Sequence, residues 1–131
     1  MSEFSSMPLP ETRTTVAPDG SDVRVLLQLT GGSMIHFELA PGQVSGAVAH
    51  RTVEEIWYVL SGAGQLWRRQ EEREEVTELQ AGLCLTIPVG TRFQFRAGPN
   101  ARLAMIAVTM PPWPGDGEAY AVPGHWQVAS R

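Results

Sequence analysis

Few side chains in this sequence have the type and setting for chemistry. Three histidines (His36, His50 and His125) and one cysteine, Cys84, are its whole stock of imidazole and thiol groups. Cys84 lies in the apolar run Leu83-Cys84-Leu85 and reads as a core residue, not a nucleophile. A single cysteine also excludes an internal disulfide and any CxxC redox or zinc pair. No serine sits in a GxSxG elbow and no HExxH helix is present. Gly62-Ala63-Gly64 lacks the third glycine of a dinucleotide fingerprint and reads as a hairpin turn. That leaves His50, five residues ahead of Glu55. An imidazole and a carboxyl can exchange a proton near neutral pH if the fold brings them together.

The elements that must position this pair are strands. At 131 residues the chain makes one domain. With 43% hydrophobic and 18% charged residues it can bury a core and is no disordered chain. Turn signals recur at Pro18-Asp19-Gly20, Gly31-Gly32, Pro41-Gly42, Gly62-Ala63-Gly64, Ala81-Gly82, Pro88-Val89-Gly90 and Gly98-Pro99-Asn100. Between them lie β-prone runs: 23–29, 34–39, 55–60, 83–87, 93–96 and 103–109. A hairpin is predicted between 66–69 and 76–79, capped by the acidic stretch 71–75. No segment has helical periodicity, so the fold class is all-β, a sandwich or barrel.

Three regions follow: a flexible N-terminal arm over 1–12, a barrel over 13–110 and a Pro/Trp-rich tail over 111–131. Trp113, Tyr120 and Trp126 give the tail too much aromatic area to stand free, so it reads as a pad on the barrel or on a partner subunit. A polyproline peptide ligand is the lesser reading. The run Glu55–Leu60 is apolar on both faces, and Ile56, Tyr58 and Leu60 need a cover from the tail or from a second copy. A homodimer is therefore expected. The net charge of -4, with arginine as the only basic residue besides histidine, argues against a nucleic-acid partner. No apolar run reaches the ~18 residues of a membrane span, and the N-terminus lacks the pattern of a signal peptide. A cytoplasmic location is the resulting expectation.

From Gly42 the spacing fits a family pattern. Gly42, Val48, His50, Glu55 and Gly62 follow the register G(x)5HxH(x)3–4E(x)6G, and Gly82, Pro88, Gly90, Phe93 and Ala97 follow G(x)5PxG(x)2H(x)3N. Both frameworks fit without a gap, and in this the chain resembles a single-domain cupin, a jelly-roll β-barrel. The stretches 50–60 and 108–115 look like a branch of small bacterial cupins. The resemblance implies a divalent metal (Fe, Mn, Ni, Cu or Zn) held by three histidines and a glutamate. Here Val48 and Phe93 stand at two histidine positions, so only His50 and Glu55 remain. Three or four protein donors are usual for such a metal. His36 or Gln94 is the available additional ligand, although strand alternation turns Gln94 away if Phe93 points inward.

The resemblance further implies that His50 and Glu55 point into the barrel, in a cavity lined by Val48, Trp57, Val59, Ile87, Phe93 and Phe95. Such an apolar cup with few polar groups suits a small organic molecule. Burial would raise the pKa of Glu55 and lower that of His50, while their mutual attraction would act the other way. The leading expectation is metal-independent acid–base catalysis of the isomerase, cyclase or lyase type. The alternatives are a metal-dependent oxygenase or isomerase, and a non-catalytic ligand-sensing or assembly module. Arg51 and Arg96 are expected to point outward, and His125 to reach the barrel mouth.

Overall fold

The turn signals separate eleven strands in a computed structural model that describes residues 3–128. Met1 and Ser2 of the expected arm, and residues 129–131 of the tail, lie outside the described residues. The strands are β1 (Thr15–Val16), β2 (Asp22–Leu29), β3 (Gly32–Leu39), β4 (Val48–His50), β5 (Glu54–Ser61) and β6 (Ala63–Gln70). They continue as β7 (Arg73–Gln80), β8 (Cys84–Ile87), β9 (Arg92–Ala97), β10 (Leu103–Met110) and β11 (Ala119–Ala121). All pairings are antiparallel. A six-stranded sheet runs β1-β2-β3-β10-β5-β8 and a five-stranded sheet runs β11-β4-β9-β6-β7. The chain is all-β, with the two sheets closing over one core in a jelly roll.

Alternation sets the inner face of each strand. Phe37, Leu39, Trp57, Val59, Leu85, Ile87, Phe93, Phe95, Leu103 and Met105 are buried in one cluster. Its centre is aromatic: Trp57 meets Phe37 at 4.8 Å, Phe95 at 5.2 Å and Phe93 at 5.6 Å between ring centroids, each edge to face. Gly62 shows why this packing needs a glycine. Its φ is +83°, and a Cβ there would lie 2.2 Å from the Arg102 carbonyl oxygen.

Some details depart from expectation. The hairpin tip is only Glu71-Glu72, with Glu71 at φ 56°, because Gln70 already pairs with Arg73. Cys84 is exposed and not in the core. Leu85 and Ile87 take the inner face of β8, and alternation turns Cys84 outward. Ile56, Tyr58 and Leu60 remain 43, 47 and 42% exposed. The tail does not cover them: β11 pairs with β4 in the other sheet, and Trp126 lies against β9. At the other terminus, Arg24 donates to the Pro10 carbonyl at 2.8 Å and the Glu11 carbonyl at 3.3 Å. Among the described residues, no helix is long and apolar enough to cross a membrane.

Candidate functional site

One cavity of about 370 Å³ opens between the sheets. Its walls come from β2 (Val23, Val25), β3 (Ser33, Ile35, Phe37), β4 (Val48, His50), β5 (Glu55, Trp57) and β9 (Phe93). The loop before β2 adds Asp19 and Ser21, and the tail adds Trp113, Asp116 and Ala119. Each strand residue is there by alternation: Val48 and His50 share a face, as do Glu55 and Trp57. The fold therefore brings His50 and Glu55 to one cavity, together with Val48, Trp57 and Phe93. Val59, Ile87 and Phe95 face the same interior, but they belong to the packed core and do not line the void. Strand alternation predicts their face and not their depth in the barrel.

Both polar groups are held under-solvated. Glu55 is 5% exposed and accepts one hydrogen bond, from the Trp57 indole N–H at 2.8 Å. Burial pushes its carboxyl from 4.5 up to about 7, against the Trp57 hydrogen bond and with help from the Asp19 and Glu118 carboxylates. His50 is also 5% exposed, and its Nδ1 is buried with no hydrogen-bond partner among the described residues. Burial lowers its pKa from 6.5 to about 4, only partly offset by Glu118. Burial thus dominates both shifts, and no attraction between His50 and Glu55 contributes to either. The His50 ring sits edge-on between Phe93 at 5.3 Å and Trp113 at 5.0 Å.

Asp19 is the carboxyl that sequence reasoning misses, because it looks like plain turn chemistry. Its Oδ1 accepts from the Ser21 N–H at 2.9 Å and hydroxyl at 2.7 Å. Burial nevertheless raises its pKa. Trp113 is expected only as part of a pad. Its backbone N–H donates to Ser33 Oγ at 3.1 Å, which fixes the tail across the cavity beside His50. Ser33 in turn bonds Thr109.

The other candidates lie elsewhere. Gln94 is on the opposite face of β9, where its amide nitrogen donates to the Ser45 carbonyl at 2.9 Å and the Trp126 carbonyl at 2.8 Å. Its amide oxygen accepts from the N–H groups of His125 at 2.9 Å and Trp126 at 2.8 Å. Gln94 is thus committed to the tail. His36 is turned away from the cavity between inward Ile35 and Phe37, with burial lowering its pKa. His125 does not reach the mouth; it stacks on Trp67 at 5.7 Å. Arg51 and Arg96 point outward as expected, lying over Tyr120 at 4.6 Å and Trp126 at 4.3 Å. Among the described residues, no group of three or more His, Cys, Asp or Glu is placed to hold a metal ion. Val48 and Phe93 occupy the other two positions of the family's ligand register, so this donor set does not fit the family's metal.

A jelly roll with this site and both glycine frameworks defines a class. The family model described as the cupin domain matches residues 35–109, and the chain belongs to that family. Among solved structures the chain is similar to the polyketide cyclase RemF from Streptomyces resistomycificus. The TM-score is 0.73 at 20% identity, over 94% of this chain and 88% of that one. It is also similar to Streptomyces PAC13 with uridine, with a TM-score of 0.69 at 17% identity, over 91% and 92%. Similarity extends to CapF, a capsular polysaccharide assembling protein from Staphylococcus aureus, at a TM-score of 0.69 and 20% identity. There the match covers 89% of this chain but only 35% of CapF, so the chain spans about a third of that protein. These likenesses establish the fold. No curated protein matches the chain.

Proposed function

We propose that the chain is a small-molecule-binding cupin whose cavity catalyses a metal-independent proton transfer, with Glu55 as general acid and His50 as general base. The observation that carries this is the pairing of opposite environments in one cavity. Near neutrality a carboxyl with its pKa at about 7 still holds a proton to give. An imidazole with its pKa at about 4 is free of one and can accept. On a bound ketone, His50 takes the proton from the carbon beside the carbonyl. The C–H electron pair forms the C=C bond, and the Glu55 carboxyl protonates the carbonyl oxygen, giving an enol. Isomerisation, cyclisation and elimination all start from such a step. The similarity to a polyketide cyclase is in keeping with it.

The test is solvent exchange. Wild-type protein in deuterated buffer with chelator is incubated with a panel of aromatic ketones such as tetralone, and deuterium entry beside the carbonyl is followed by NMR. Enolisation by this pair predicts exchange that falls by about a hundredfold or more in both His50→Ala and Glu55→Gln. Exchange that is equal in the wild type and both variants sinks the assignment.

The exposed apolar row Ile56, Tyr58 and Leu60 favours a second copy as its cover. Light scattering at micromolar concentration is expected to give twice the chain mass. A monomer mass removes this part of the reading.

A further inference from the structure

The charge of the cavity limits what it can take. Its lining carries three carboxyl groups (Asp19, Glu55 and Asp116) and the single imidazole of His50, with no arginine. A fourth carboxylate, Glu118, stands close enough to act on both His50 and Glu55. Arginines outside the lining have partners of their own. Arg51 donates to the Gly117 carbonyl at 2.8 Å and lies over Tyr120, while Arg24 is paired with Glu38. Arg68 holds the Thr86 carbonyl and Glu75, and Arg102 holds Asp22 and Glu38. No guanidinium in the lining is there to receive a carboxylate or phosphate bidentately.

The remaining wall is aromatic. Phe37, Trp57, Phe93 and Trp113 line the void, while His50 and Glu55 offer isolated hydrogen-bonding groups; the Ser21 hydroxyl is engaged by Asp19 and that of Ser33 by Thr109 and the Trp113 N–H. A volume of about 370 Å³ is at the small end of ligand sites, enough for roughly two fused rings.

Building on the proposed binding role of this cavity, we infer that its ligand is an uncharged, flat aromatic compound with hydroxyl or carbonyl groups at its edge, and that the site rejects carboxylates and phosphates. Flat rings match the aromatic wall. Edge oxygens meet His50 and Glu55, the two polar groups with capacity left. An anion would be desolvated beside the Glu118 carboxylate and the Asp19 and Asp116 carboxyl groups with no counter-ion, while Glu55 keeps its proton, and this selects against the wrong ligand.

Two probes of equal shape test this: naphthol and its carboxylate counterpart naphthoate, titrated at neutral pH by calorimetry. Naphthol is expected to bind at least about tenfold more tightly. Asp19→Asn keeps an acceptor for Ser21 and is expected to narrow that gap by strengthening naphthoate binding alone. Val25→Trp, at a cavity-mouth position already 46% exposed, fills the void and should abolish binding of either probe. Naphthoate binding that equals or exceeds naphthol binding, and that Val25→Trp abolishes, overturns the charge rule and leaves the cavity as a binding site. Failure of both probes to bind, or binding that Val25→Trp does not change, overturns the cavity reading along with this inference.

Discussion

Glu55 and Glu118 are both 5% exposed, yet their surroundings drive them in opposite directions. Glu118 accepts from the Thr52 N–H at 2.7 Å, the Thr52 hydroxyl at 2.6 Å and the Val53 N–H at 2.9 Å. Burial pushes its pKa up, but these three donors win and hold the carboxyl below its usual range. Glu55 has one donor, the Trp57 indole, and burial wins. The same contrast separates Gln94, which makes four hydrogen bonds, from His50, whose buried Nδ1 makes none. Buried polar groups are normally paired, and those that are not call for an explanation. At the tail anchor the polar groups are used up in holding 118–126 to the barrel. In the cavity they are left with capacity for something else.

The sharpest way to break this comparison is to remove one carboxyl from each region. Glu118→Ala strands two backbone N–H groups and a hydroxyl, and is expected to destabilise the fold by about 4 kcal/mol in urea titration. A loss under about 1 kcal/mol would mean that the anchor does not hold the tail. Glu55→Gln behaves differently because its effect depends on pH. A carboxyl whose folded pKa is raised binds its proton more tightly in the native state. Its stabilisation is complete below 4.5 and is lost as pH rises to about 7. The variant escapes that loss, so its stability relative to wild type should climb by about 3 kcal/mol across that window.

His50 gives the mirror image. Its folded pKa is lowered, so its contribution is complete above 6.5 and is lost as pH falls to about 4. His50→Asn should therefore gain on wild type as the solution is acidified. In the wild type the Glu55 and His50 contributions oppose each other between 4.5 and 6.5, alongside those of the shifted His36 and Asp19, so each variant is read as a change in slope from wild type. A slope in that range that one of the two variants leaves unchanged would show that the corresponding shift is absent. Activity should follow the same two groups, with kcat/KM rising above about 4 and falling above about 7.

At the anchor, Gln94→Ala is expected to cost about 2 kcal/mol and to expose the segment after Ala121 to protease, without changing the wild-type pH profile. A change in that profile would show that the two regions are not independent.

How much of this is legible in the sequence follows from what each residue depends on. His50 and Glu55 stand out because two spaced frameworks fix a register, and strand alternation then fixes a face. Alternation by itself also turns Gln94 and the arginines outward. Depth is not legible, so Val59, Ile87 and Phe95 read as cavity wall when they are packed core. Asp19 stays hidden because a Pro-Asp-Gly turn reads the same whether or not it overhangs a cavity. Glu118 and Trp113 belong to a tail without periodicity, and their partners lie 65 and 80 residues away in sequence. Contacts at that range leave no local pattern. The row Ile56, Tyr58 and Leu60 reads correctly as apolar, but the tail expected as one of its covers lies on the opposite sheet.

Trp113 links the two regions, since the strap that ends at Glu118 carries it over His50. Its ring is only half-buried, and its anchoring hydrogen bond is made by its backbone. Trp113→Leu should therefore keep the Ser33 contact and lose under about 1 kcal/mol of stability. What it removes is the ring that shields the imidazole edge. Since desolvation is the larger influence on His50, admitting water should bring its pKa up from about 4 toward 6.5, seen directly by NMR titration of the ring protons. Glu118→Ala, measured in the same way, should move His50 downward, because it removes the one carboxylate that favours the charged imidazole. Opposite shifts from two residues of one strap would show that the tail sets the chemistry of the cavity through water exclusion and charge separately. Shifts of the same sign would mean that both variants only loosen the strap, and that the anchor and the cavity are one structure.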